Sequence, residues 1–81
     1  LRISNITVPK NVLEKLARRN IYRNDICEVF NNRPEIRRDG IDTKSGKYKY
    51  FAHGRTDAGR FLRIVFIYMG NEPLVISAYE K

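Results

Sequence analysis

The sequence predicts an α+β fold: two N-terminal helices packed on one face of a four-stranded antiparallel sheet, in the order α-α-β-β-β-β. Three observations carry this. Apolar residues recur at helical spacing as far as residue 31 and at alternating spacing from Glu35 onward. The links between the later apolar runs are short and rich in Gly, Asp and Asn, which suits hairpins rather than crossovers. Finally, 81 residues with 42% apolar content supply one small core, so residues 1–81 are expected to form a single domain.

The first helix is expected over Pro9–Arg19. Proline suits a first helical turn, Thr7 lies nearby as a cap, and Val12, Leu13, Leu16 and Ala17 form one apolar stripe. Asn20 provides a left-handed stop. The second helix is expected over Arg23–Asn31, with Tyr22, Ile26, Cys27, Val29 and Phe30 on its apolar side and Asp25 and Glu28 pointing away. Asn31-Asn32-Arg33-Pro34 ends it, because the residue before proline disfavours helix.

Glu35–Arg38 then reads as a short edge strand, with Asp39-Gly40 as a turn and Lys44-Ser45-Gly46 closing a polar excursion. Lys47–Gly54 alternates, placing Tyr48, Tyr50 and Ala52 on one face and Lys47, Lys49, Phe51 and His53 on the other. Thr56–Gly59 is the expected hairpin loop. Phe61–Met69 is apolar on both faces and therefore central. Gly70–Pro73 turns, and Leu74–Tyr79 is the last strand.

Sixteen basic residues against nine acidic ones give a net charge of +7, which points to polyanionic partners. The surplus is +4 in residues 1–40, +4 in residues 41–63 and −1 thereafter, a basic face rather than a uniform coat. Cys27 is the sole cysteine, the longest apolar run, Ile64–Met69, is too short to span a membrane, and no signal-peptide pattern opens the chain. The expected compartment is the cytoplasm. One histidine, one cysteine and unclustered acids offer no metal-ligand spacing, so neither metal nor cofactor is expected.

The stretch His53-Gly54-Arg55-Thr56-Asp57-Ala58-Gly59-Arg60-Phe61-Leu62-Arg63 is the most informative. With a Thr56–Gly59 loop, Arg55 and Arg60 stand opposite each other, and like charges in that position call for an anion between them. His53 would then share their face, beside Leu62. One reading is a phosphate clamp with a titratable imidazole beside it. The other is a solvated hairpin whose arginines pair with Asp57 and Asp42. A one-residue slip in the loop would separate the two arginines. Lys47, Lys49, Arg63 and the Arg18/Arg19 ridge are candidates for contacts to a nucleic-acid backbone. Tyr48 and Tyr50 are expected to pack in the core, with stacking on bases as the alternative.

Five pieces occur in a fixed order: Lys15-Leu16-Ala17-Arg18-Arg19-Asn20-Ile21, Asp25-Ile26-Cys27-Glu28-Val29-Phe30, Gly54-Arg55, Gly59-Arg60-Phe61-Leu62 and Val75-Ile76-Ser77-Ala78. Together they resemble the BrnT family of small bacterial toxins, whose fold is similar to that of RelE-type ribonuclease toxins. The resemblance implies the toxin of a type II toxin–antitoxin pair that blocks translation by cleaving RNA. It further implies neutralisation by a ribbon-helix-helix (BrnA-like) antitoxin, an oligomeric complex with it, and operator DNA contacted only through that antitoxin. Arg55 matches the family's glycine–arginine, and Gly59 and Arg60 match its hairpin.

Three features depart from the family pattern. Arg18-Arg19-Asn20 replaces a Lys-His-Gly, Leu74 and Tyr79 replace two arginines around Ile-Ser-Ala, and the usual C-terminal helix does not follow. On these residues the expected machinery is Arg55 and Arg60 as phosphate ligands, His53 as general acid or base, and Tyr79 as a proton or hydrogen-bond donor. Two alternatives stand beside a ribonuclease. One is a non-catalytic member of the same fold that binds RNA or antitoxin, favoured by Leu74 and Tyr79. The other is a small DNA-binding regulator, disfavoured because neither helix reads as a recognition helix.

Overall fold

The computed structural model describes residues 5–81. Helices α1 (Lys10–Ala17) and α2 (Arg23–Asn31) precede strands β1 (Glu35–Ile41), β2 (Tyr48–Arg55), β3 (Phe61–Met69) and β4 (Glu72–Glu80). All strand pairs are antiparallel and the spatial order is β1-β2-β3-β4, so the predicted α-α-β-β-β-β layout is the observed one.

The helices and one face of the sheet share a core. Leu16, Ile26, Val29 and Phe30 pack against Ala52, Leu62, Ile64, Phe66, Val75 and Ala78. Phe30 meets Phe66 edge-on at 5.2 Å, and Tyr50 stacks on Phe66 at 5.7 Å. Gly54 lets α2 approach β2, since a Cβ there would lie 3.1 Å from both Val29 Cγ1 and Pro34 Cβ. Tyr50 therefore takes the core position expected of it. Tyr48 does not: it is half-exposed under the Arg38 guanidinium.

Element ends differ from the sequence reading for local reasons. α1 stops at Ala17 and a turn follows, with Asn20 left-handed at φ +58°. Thr7 does not cap α1; it pairs in parallel with Leu74, exchanging bonds with the Pro73 carbonyl and the Val75 N–H. α2 spans the expected residues, but Tyr22 is exposed and Asp25 turns back to accept the Tyr22 N–H at 2.9 Å. Glu28 accepts the Asp57 N–H at 3.0 Å instead of facing solvent.

Asp39-Gly40 is not a turn. It lies within β1 where the ladder to β2 shifts register between Arg38 and Ile41, and Gly40 supplies the positive φ. β4 begins earlier than expected because the link from β3 needs only Gly70 and Asn71. Pro73 fits inside this strand because its missing N–H would point to the outer edge, away from the ladder with β3.

That outer edge of β4 is capped by α1. The Lys15 ammonium donates to the Ile76 carbonyl at 3.3 Å and the Arg19 guanidinium to the Ala78 carbonyl at 2.8 Å. Residues four apart on a helix lie on one face, and here they blunt an edge that would otherwise invite strand addition. No helix among the described residues is long and apolar enough to cross a membrane.

Candidate nucleic-acid interface

The β2–β3 hairpin loop decides which side chains meet. Thr56 N–H bonds the Arg60 carbonyl at 2.9 Å, Gly59 N–H bonds the Thr56 carbonyl at 2.9 Å, and Gly59 has φ +89°. The loop is thus three residues, Asp57–Gly59, ending in a left-handed glycine, where four had been expected. One residue fewer changes every pairing. Arg55 lies opposite Phe61, not Arg60, and His53 lies opposite Arg63, not beside Leu62.

The slip sends Arg60 to the helix-bearing side. There it donates to the Asn20 carbonyl at 2.7 Å and to Glu80 at 3.0 Å, with Asp25 at 3.7 Å, and Glu80 raises its pKa further. Arg60 fastens the start of β3 to the junction between the helices, and no clamp with Arg55 exists. The acids proposed as partners of these arginines are engaged elsewhere. Asp57 accepts from Asn32 at 2.9 Å, and Asp42 accepts from Ser45 at 2.8 Å.

On the opposite, outer face the register assembles a row across all four strands: Glu35, His53, Arg63 and Tyr79. Arg63 sits at its centre. Its Nε donates to His53 Nε2 at 2.6 Å and its Nη1 to the Tyr79 hydroxyl at 2.7 Å. The guanidinium lies 4.1 Å over the Phe51 ring. Both hydrogen bonds run through Nε and Nη1, which leaves Nη2 for a ligand.

Because His53 Nε2 accepts, its proton is on Nδ1, which faces Glu35 Oε1 at 3.9 Å. The imidazole is largely covered, with 13% of its side chain exposed. Burial lowers its pKa from the usual value, and the positive charges of Arg63 and Lys81 add to that against the opposing pull of Glu35. Hydrogen bonding to Arg37 and that residue's charge hold the Glu35 carboxyl low.

Arg55 extends the row toward the hairpin. It lies over Phe61 at 5.1 Å with Nη1 donating to the Gly59 carbonyl at 2.8 Å, and Lys81 lies 5.8 Å over the same ring. Cations interleaved with aromatic faces are what a single-stranded nucleic acid requires, charge for the backbone and π-surfaces for bases. No family model matches the chain, and no curated protein or solved structure matches it at a significant level.

Of the residues singled out from sequence, His53, Arg55, Arg63 and Tyr79 share the outer face, and Lys49 lines a groove at its far end. Lys47 is exposed in the link before β2, beside Tyr48, Tyr50 and Tyr68. Arg18 is exposed at the end of α1, and Arg19 is committed to the β4 edge. Sequence reasoning missed Phe51, Phe61 and Glu35 as members of the site. Strict alternation about His53 would have found Phe51, and the loop length would have found the other two.

Proposed function

We propose that this chain is the toxin of a type II toxin–antitoxin pair: a cytoplasmic, metal-independent endoribonuclease that inhibits translation and is neutralised by a ribbon-helix-helix antitoxin. The single observation that carries the catalytic part is Arg63 held between His53 and Tyr79 on a basic, aromatic sheet face. The order of motifs shared with BrnT toxins supports the antitoxin, and operator binding through it.

Cleavage without metal needs a base for the 2′-hydroxyl, positive charge for the pentavalent phosphate and an acid for the leaving oxygen. Arg63 meets the phosphate through Nη2, and the anion draws the guanidinium away from His53. The freed Nε2 lone pair accepts the 2′-hydroxyl proton as the 2′-oxygen bonds to phosphorus. The bond from phosphorus to the 5′-oxygen breaks, and that oxygen takes its proton from the Tyr79 hydroxyl. The products are a 2′,3′-cyclic phosphate and a 5′-hydroxyl. Proton exchange with water restores His53 and Tyr79. Arg55 and Lys81 hold the neighbouring phosphate.

The test is incubation of the purified chain with end-labelled single-stranded RNA in excess EDTA, with His53→Ala and Arg63→Ala alongside. Cyclic-phosphate ends made by the parent chain and lost in both variants support the reading. Equal cleavage by all three would refute it. Salt-sensitive binding with no cleavage would favour the non-catalytic reading to which Leu74, paired with Ile67 and Thr7 within the sheet, also speaks.

A further inference from the structure

The outer face continues past Arg63. Two residues along β3, Val65 underlies a groove of about 430 Å³ at the end of the sheet away from the β2–β3 hairpin. Lys15 of α1 stands on one side, Lys44 and Asp42 of the β1–β2 turn on the other, and Lys49 and Ser77 complete the lining. Three lysines against one aspartate leave a local surplus of +2. The Asp42 carboxylate already accepts the Ser45 N–H at 3.0 Å and the Ser45 hydroxyl at 2.8 Å, so it is committed to the turn. The Lys15 ammonium is fixed at the rim by the Ile76 carbonyl, 3.3 Å away. The groove therefore offers ammonium groups from three separate elements, converging on a polar floor that holds the Ser77 hydroxyl.

Its position relative to Arg63 matters. Two strand residues advance about 7 Å, the scale of one nucleotide step along an extended single strand. Resting on the RNA-binding reading above, we infer that this groove is a subsite for the backbone phosphate of the nucleotide flanking the one engaged at Arg63. Single-stranded RNA then runs along β3, from Arg55, Phe61 and Lys81 at the hairpin end, across Arg63, to the three lysines against α1. α1 and the β1–β2 turn wall that end of the track. This gives the groove a role that none of the residues nearer the hairpin can serve.

The experiment measures affinity for 2′-O-methyl RNA oligonucleotides of two, four and six residues, which cannot be cleaved, across a range of salt concentrations. Three proteins are compared: the parent chain, Lys44→Ala/Lys49→Ala, and a charge-matched Arg33→Ala/Arg38→Ala control outside the groove. The expected result is a gain of roughly tenfold from the two-residue to the four-residue ligand in the parent and control. The groove variant loses most of that gain, and its salt slope falls by about 0.7, the value for one single-strand phosphate. A groove variant that keeps the gain, or a control that loses it equally, overturns the subsite but leaves RNA binding standing. A parent chain that binds no oligonucleotide overturns both.

Discussion

His53 and Arg63 face each other across the β2–β3 ladder, and the guanidinium Nε donates to the imidazole Nε2 at 2.6 Å. This contact exists only with a neutral imidazole, because a protonated ring has no lone pair to offer. Burial first, then the charges of Arg63 and Lys81, lower the His53 pKa from 6.5, with Glu35 opposing.

His53 is the chain's only histidine, so NMR titration of its ring reads this directly. The expected midpoint lies below 6.5; Arg63→Ala should raise it and Glu35→Gln lower it further. The stability consequence follows from the sign. As pH falls through 6.5 the unfolded chain takes up the proton before the folded one, so stability declines until the folded form also protonates. A midpoint above 6.5, or no response to Arg63→Ala, would show that the contact does not govern the ring.

Arg63 makes two directed hydrogen bonds and lies flat on Phe51. A lysine keeps the charge but cannot bridge His53 and Tyr79 while stacking on a ring. On the proposed chemistry, Arg63→Lys should lower kcat almost as far as Arg63→Ala, by about 10²–10³-fold, the usual scale for one preorganised donor to a developing anion. Single-turnover cleavage under saturating RNA measures it. Full rescue by lysine would mean that charge alone is enough.

The layout of the sheet was legible because alternation in Lys47–Gly54 and the apolar run Phe61–Met69 are strong signals, and short polar links allow only antiparallel neighbours. The site was legible in composition but not in pairing. Arg55 and Arg60 flank the loop symmetrically in sequence, yet a left-handed Gly59 closes it one residue sooner and turns Arg60 to the helix side. Glycine signals such a conformation without fixing which residue follows it in the ladder. The same limit hid Asp39-Gly40, which bends a strand rather than ending it. Arg19 looked like a phosphate ligand because nothing in the local sequence shows that α1 lies along the open edge of β4.

Gly54 has a packing role that the Gly54-Arg55 pair alone does not disclose. A Cβ there would meet Val29 Cγ1 and Pro34 Cβ at 3.1 Å and the Pro34 Cα at 3.3 Å. Side chains can yield a little, but Pro34 is anchored at the exit from α2. Gly54→Ala should therefore separate α2 from β2 and cost about 1–3 kcal/mol, as overpacking does. Thermal unfolding should show it as a Tm lower by several degrees, on the scale of about 4–8 °C per kcal/mol for a domain this size. An unchanged Tm would mean that the helix accommodates the methyl group freely.

Arg60 separates a structural role from a chemical one. Its guanidinium donates to the Asn20 carbonyl and to Glu80, with Asp25 close by, all on the side of the sheet away from His53. Surface ion pairs contribute little, but a directed bond to the carbonyl of a left-handed residue holds the junction between α1 and α2. Arg60→Ala should lower stability by on the order of 1 kcal/mol, seen as a modest fall in Tm. RNA cleavage by the folded variant, assayed well below its Tm, should stay within a few-fold of the parent. Arg55→Ala should behave the opposite way, because Arg55 lies on the outer face against Phe61 and carries no helix: weaker RNA binding with little change in Tm. If Arg60→Ala abolished cleavage while its Tm held, the loop register described here would be wrong and the two arginines would act together.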